Sequence, residues 1–198
     1  MSTGRLEAFS DGVLAIIITV MVLELKVPEQ PHLNNLWHDS GVGLLTYVLS
    51  FVYVGIYWNN HHHLFQVCDR INGPVLWANL ALLFSLSLYP FTTAWMDESR
   101  LARTTVVVYG VNLLLAGTAY FFLQHFMARV PGQGERMREV FGSTVKEYTS
   151  IALYVAGVAL AFVEPWVGLV LFAVVAITWL VPDRRVERYL ESHGALGS

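Results

Sequence analysis

Charge is scarce in this chain. Only 14% of its 198 residues are Asp, Glu, Lys or Arg, where a soluble globular domain carries about 25%. Such sparse charge, set beside 55% hydrophobic residues, excludes an ordinary water-soluble body. Basic excess is lacking as well. The formal net charge of −3 leaves no basic face for a nucleic-acid partner. One cysteine, Cys68, excludes an internal disulfide framework and any multi-cysteine metal site. The first apolar run has neither a small-residue cleavage site nor a long basic leader, so it reads as a retained helix. Low-complexity segments and internal repeats are absent. Residues 1–198 therefore read as one all-α domain of a polytopic membrane protein in contact with lipid.

What is present is a set of six apolar runs, about Leu6–Val27, Gly41–Phe65, Val75–Met96, Thr104–Met127, Tyr148–Val163 and Trp166–Val181. Each approaches the roughly 20 residues that cross a hydrocarbon core of about 30 Å. Between the first two lies Pro28–Ser40, with two prolines, two histidines and Asn34-Asn35, which reads as a linker. Pro90 in the third run should kink or end that helix. The longest polar stretch is Ala128–Lys146, and Pro182-Asp183 closes the sixth run before a tail with Arg184, Arg185 and Arg188. Six spans place both termini on one side. That side carries nine of the Lys and Arg residues: Arg5, Arg70, Arg129, Arg136, Arg138, Lys146, Arg184, Arg185 and Arg188. The other carries three: Lys26, Arg100 and Arg103. Positive residues gather on the cytoplasmic side, so the termini are expected there, in a cell membrane.

The first run holds the sequence's main anomaly. An acid as deep as Asp11 is costly in lipid and should face protein or water. On a wheel of about 100° per residue, Arg5, Phe9, Ile16, Val20, Leu23 and Val27 form one stripe. Asp11, Ala15, Ile18 and Val22 fall opposite it. Spacing alone does not choose a functional side, because lipid contact and packing also explain an all-apolar helix.

The residues themselves are informative. Arg5-x-x-x-Phe9-Ser10-Asp11-Gly12, then Ala15-Ile-Ile-Ile-Thr19 and Leu23-Glu-Leu-Lys-Val-Pro28, resemble the first helix of the transmembrane protein 175 family. Trp58-Asn-Asn-His-His62, Asn79-Leu-Ala-Leu-Leu-Phe84 and Tyr89-Pro90-Phe91 continue the resemblance. It implies a potassium channel, a homotetramer of six-helix subunits with the first helices lining a central pore. It further implies a hydrophobic gate and sieve at Ile16, Val20 and Leu23 instead of a pore-loop filter. Thr19 and Glu24 would stand in the ion path. Arg5, Phe9, Ser10 and Asp11 would join Trp58, His62 and Asn79 in a structural hydrogen-bond network, with the choice among His61, His62 and His63 open. Permeant ions are potassium and other monovalent cations, with proton permeability as a further property; no cofactor is implied.

Physics agrees with such a neck. A narrow apolar ring gates by dewetting, and an acidic ring of Glu24 at its mouth would concentrate cations; in solvent, Glu24 would instead pair with Lys26. The run His61-His62-His63 suggests metal, but consecutive helical residues diverge by about 100° and do not close on one ion. No nucleophile, metal set or pair of acids points to an enzyme. The rival class is a proton-coupled secondary transporter with Asp11 and His62 as the proton-handling pair.

Overall fold

The computed structural model describes residues 3–28, 32–141 and 145–180. Its elements are all helical: α1 (Thr3–Leu23), α2 (Leu33–Val67), α3 (Gly73–Ser87), α4 (Tyr89–Glu98), α5 (Arg103–Ala128), α6 (Gly134–Phe141), α7 (Val145–Ala161) and α8 (Pro165–Leu180). Four segments are long and apolar enough to cross a membrane: α1, α2, α3 with α4, and α5. The apolar α8 has 16 residues and α7 has 17, about 25 Å each at a rise of about 1.5 Å per residue. The tail arginines 184, 185 and 188 and the end of the sixth expected run lie outside the described residues.

Several boundaries differ from the sequence expectation, each for a local reason. The helix α2 begins at Leu33, inside the expected linker. Between Leu33 and Ser40 there is no proline or glycine, so poor helix formers suffice once a long apolar segment propagates behind them. Its 35 residues reach about 52 Å, well beyond a hydrocarbon core. The Ser40 hydroxyl donates to the Lys26 carbonyl at 2.7 Å and ties the preceding chain to this extension. The helix α1 stops at Leu23, before the expected Val27, so Glu24 falls just past its end. The third run divides as expected around Pro90: α3 ends at Ser87, and α4 restarts at Tyr89 with proline in its first turn, where a missing N–H costs no helical bond. The polar stretch after α5 contains α6, a short amphipathic helix.

The core is organised on α5, which packs against α3, α4, α6, α7 and α8. Phe172 of α8, fully buried, occupies a slot that glycines keep open. A Cβ on Gly110 of α5 would collide with the Phe172 ring, and one on Gly157 of α7 would come within 2.5 Å of it. Close packing of small residues replaces the hydrophobic effect inside a membrane. A second fastening lies at the α5–α6 corner. Gly132, at φ +88°, turns the chain so that the buried Gln133 reaches the α2–α3 loop. Its Oε1 accepts from the backbone N–H groups of Asp69 and Arg70 at 3.1 and 3.3 Å. Its Nε2 lies 3.1 Å from the Arg70 carbonyl and 3.2 Å from Cys68 Sγ. Arg136 adds an ion pair to Asp69 at 2.8 Å.

Two outcomes follow from this packing. Gly110→Val forces the Phe172 ring out of its slot, and overpacking of this kind costs about 1–3 kcal/mol or more; a lower unfolding temperature of the purified protein in detergent checks it. Burial pushes the Cys68 thiol up, so the native protein reacts slowly with maleimide at neutral pH. Gln133→Leu opens the latch and is expected to raise that rate roughly tenfold, a local opening made about 1.4 kcal/mol easier; an unchanged rate would show that Gln133 does not hold the loop.

Candidate functional site

The first helix packs on one side only. Its buried residues are Leu6, Ser10, Leu14, Ile17 and Met21, spaced by three and four as one face of a helix requires. This face lies against α2, α3 and α4. It is neither the Ile16 stripe nor the Asp11 side but a third direction, roughly 110° from each on the wheel. The stripe is left uncovered: Ile16 is 63% exposed, Val20 37% and Leu23 81%. Arg5, Phe9, Thr19 and Glu24 are also exposed. A groove of about 720 Å³ runs beside the stripe, with Ile16, Val20 and Glu24 on one wall and Phe91, Trp95 and Glu98 of α4 on the other.

Polar residues anchor the packed face. Asn79 Nδ2 donates to Ser10 Oγ at 3.0 Å, and Ser10 Oγ donates to the Leu6 carbonyl at 2.9 Å. His61 Nε2 lies 2.8 Å from Asn79 Oδ1. An amide oxygen only accepts, so His61 carries its proton on Nε2 and the chain of bonds runs one way, from His61 through Asn79 and Ser10 to the backbone of α1. All three side chains are buried, and the His61 ring stacks on Phe65 at 4.4 Å between centroids.

Of the three adjacent histidines left open by the sequence, the one on Asn79 is thus His61, while His62 takes a different partner. One residue along α2, the side chain turns by about 100°. His62 Nδ1 meets Glu7 Oε1 at 2.8 Å and its Nε2 takes the Gln66 amide at 2.9 Å. Trp58 stacks on the His62 ring at 6.2 Å and 14°, and remains half exposed. Glu7 and Gln66 were not singled out from sequence, although Glu7 sits one turn from the Phe-Ser-Asp motif. Asp11, off the packed face, is half-buried, and its Oδ1 is buried without a hydrogen-bond partner. Arg5 and Phe9 are not drawn into the Ser10–Asn79–His61 chain. The hydroxyl of Thr19 donates to the Ile16 carbonyl at 2.9 Å, leaving its oxygen lone pairs outward. Among the described residues, no group of three or more His, Cys, Asp or Glu gathers as a metal site.

These features define a class: a multi-pass helical membrane protein whose first helix is hydrogen-bonded on one side and presents a bare apolar stripe on another. Comparison with known proteins then identifies the family. The profile of the family described as "Endosomal/lysosomal potassium channel TMEM175" matches residues 5–90. A protein named a potassium channel from Chryseobacterium sp. (strain P1-3) is 48% identical over 196 residues, covering 98% of this chain and all of that one. The crystal structure of a lysosomal potassium-selective channel TMEM175 homolog from Chamaesiphon minutus superposes with a TM-score of 0.76 at 32% identity, over 90% of this chain and 96% of that one. The mouse protein named endosomal/lysosomal proton channel TMEM175 is 32% identical over 99 residues, 48% of this chain and 20% of its own length. The chain belongs to the TMEM175 family.

Asn79 serves as donor and acceptor at once, which makes it the test of the anchor. Asn79→Leu strands Ser10 and His61 in the interior, and each buried group left unsatisfied costs about 1–3 kcal/mol. Less folded protein and a lower unfolding temperature are expected, while Gln66→Leu, at the exposed end of the His62 contact, leaves both nearly unchanged.

Proposed function

We propose that this protein is a potassium-permeable cation channel of a cell membrane, a homotetramer in which four copies of α1 surround the ion path. Six spans per subunit, with α7 and α8 as a short closely packed pair, and both termini in the cytoplasm complete the reading. The observation that carries it is the uncovered stripe. In a protein anchored so carefully on one side of α1, an apolar row of Ile16, Val20 and Leu23 stands free of its own bundle. Four such rows around an axis make a neck whose Ile16, Val20 and Leu23 rings supply no ion ligands, which conducts when it widens enough to wet. Potassium, less tightly hydrated than sodium, loses less at such a neck. Outward lone pairs of Thr19 offer an oxygen partway along. Glu24, just past the helix end, and Glu98 across the groove place negative charge at the outer mouth, where it raises the local cation concentration. The names of the relatives, potassium channel and proton channel, support the same class of ion. The roles of Ser10, Asn79 and His61 are structural in this reading.

A coupled transporter fits the site less well. Transporters bind their substrate at broken helices near the midplane, whereas α1 is unbroken from Thr3 to Leu23. The proposed proton pair is also separated by partnership, since His62 is held by Glu7 rather than Asp11.

Potassium flux into proteoliposomes, compared with sodium flux, tests the reading. Dissipation of a potassium gradient without a second ion or a proton gradient is expected; flux that appears only with a proton gradient would make the protein a transporter. Within the channel reading, Ile16→Asn replaces a dewetting ring by a polar one. If it lowers the barrier by about 1.4 kcal/mol, resting flux rises roughly tenfold, and an unchanged flux would take Ile16 off the axis.

A further inference from the structure

A second groove, of about 360 Å³, runs between α2 and α8, away from the α1 stripe. Leu45, Val48 and Val52 form one wall, and Leu169, Ala173 and Ile177 form the other. Thr46 lines it as well, but its hydroxyl donates back to the Val42 and Gly43 carbonyls of its own helix at 3.1 Å. The walls therefore show carbon. Along α8 the groove extends from Trp166 to Leu180, about 21 Å at a rise of about 1.5 Å per residue. One leaflet contributes only roughly 15 Å, half of a hydrocarbon core of about 30 Å.

Two turns build the mouth of this groove. Arg100 and Leu101, at φ +49° and +61°, adopt the left-handed conformation that residues other than glycine rarely take. The Leu101 N–H holds the turn by donating to the Met96 carbonyl at 2.8 Å. Leu101 is thereby tucked into the groove that Trp166 also lines, and α5 starts at Arg103. Arg103 reaches across to the α7–α8 turn, where its Nη2 donates to the Val163 carbonyl at 3.4 Å. A guanidinium has five N–H donors, so this exposed one keeps most of them for an anion. Arg100 turns elsewhere, into a crevice with Lys26, Asp97 and Glu98. Glu164 follows Val163 and is exposed; among the described residues no ion pair joins it to Arg103.

This arrangement selects its occupant. A polar ligand would lose its hydration along the carbon walls and gain no partner, whereas an acyl chain loses nothing. At the mouth, a guanidinium matches two phosphate oxygens at once. The indole N–H of Trp166, at the same end, can donate to the ester region of a lipid. A zwitterionic headgroup would bring its own cation back against Arg103; an anionic one would not.

We infer that the groove between α2 and α8 binds one anionic phospholipid per chain, with an acyl chain along the two helices and the phosphate on Arg103. The site is separate from the ion path and does not depend on the channel reading.

Native mass spectrometry of the purified full-length protein in an uncharged detergent tests it, with phosphatidylglycerol and phosphatidylcholine of the same dioleoyl chains titrated in turn. Saturable binding of one phosphatidylglycerol per chain is expected, roughly tenfold tighter than phosphatidylcholine, as a charge-assisted pair at the headgroup gives. Arg103→Gln removes that preference and leaves binding of the chain. Ala173→Phe, or Val48→Phe on the facing wall, removes saturable binding of both lipids and leaves the number of subunits unchanged. Glycerol 3-phosphate, the headgroup without chains, does not compete. Equal affinity for the two lipids, a preference retained in Arg103→Gln, or binding retained in both groove-filling variants would each overturn the inference. So would competition by glycerol 3-phosphate, which would mark an anion site alone, or a changed number of subunits in both groove-filling variants, which would seat a second copy of the chain there.

Discussion

Everything around the first helix depends on one constraint: a polar side chain within a membrane must find its partner inside the protein. Ser10 sits in α1 among leucines, isoleucines and valines, and its partner is Asn79 of α3. Asn79 in turn needs an acceptor for its Nδ2 and a donor for its Oδ1, and Ser10 and His61 supply these from two other helices. Three helices are thereby locked in rotation by two side-chain contacts. Rotating α1 about its axis breaks this chain while leaving its apolar packing nearly as good, because the helix is apolar almost all round. The hydrogen bonds therefore specify what dispersion forces leave undetermined.

The remainder of the molecule supports that lock from a distance. The α2–α3 loop, which sets the relative position of His61 and Asn79, is gripped by Gln133 and by the Arg136–Asp69 pair. Gln133 follows α5, and α5 is the element with the most partners in the bundle. On its far side, Phe172 fills the gap left by two glycines and draws α7 and α8 onto it. Side chains with directional bonds set the end of the bundle that carries Ser10 and Asn79, and small residues set the spacing around Phe172.

Much of this was legible from sequence, and the exceptions have physical causes. The apolar runs announced the helices, and Pro90 announced the break near Leu88. Helix ends were less visible, since Leu33–Ser40 contains no breaker and Glu24 no signal that the helix has already stopped. The resemblance carried by Phe9-Ser10-Asp11 pointed to Ser10 and Asn79. It left the histidine open among three neighbours, because choosing among adjacent residues requires the rotation of α2, which an all-round apolar helix does not encode. The same ambiguity hid the packed face of α1. Gln133 gave no signal, being one polar residue in a polar stretch whose importance arises from Gly132 turning it inward. Phe172 gave none either, because its slot is made of residues from two other helices.

The distribution of polarity along α1 has a consequence for how such a helix works. The residues that hydrogen-bond α1 to other helices occupy its first turns, at Glu7 and Ser10, and its bare stripe extends from Ile16 to Leu23, about 10 Å at a rise of about 1.5 Å per residue. Orientation is thus fixed at one end, and the apolar row is displayed at the other. If the polar anchor stood at the level of Ile16, its amide and hydroxyl oxygens would offer ligands and hold water there, and an apolar ring at that level would no longer dewet. In the proposed channel, separating the two along the axis lets strong directional bonds define the rotation of α1 without wetting the neck. The break between α3 and α4 serves the same division. The helix α3 carries Asn79 to the anchor, while α4 restarts at Tyr89 and sets Phe91 and Trp95 beside the stripe. One continuous helix would bind these two levels to a single tilt; the break at Leu88 lets each level pack on α1 in its own geometry.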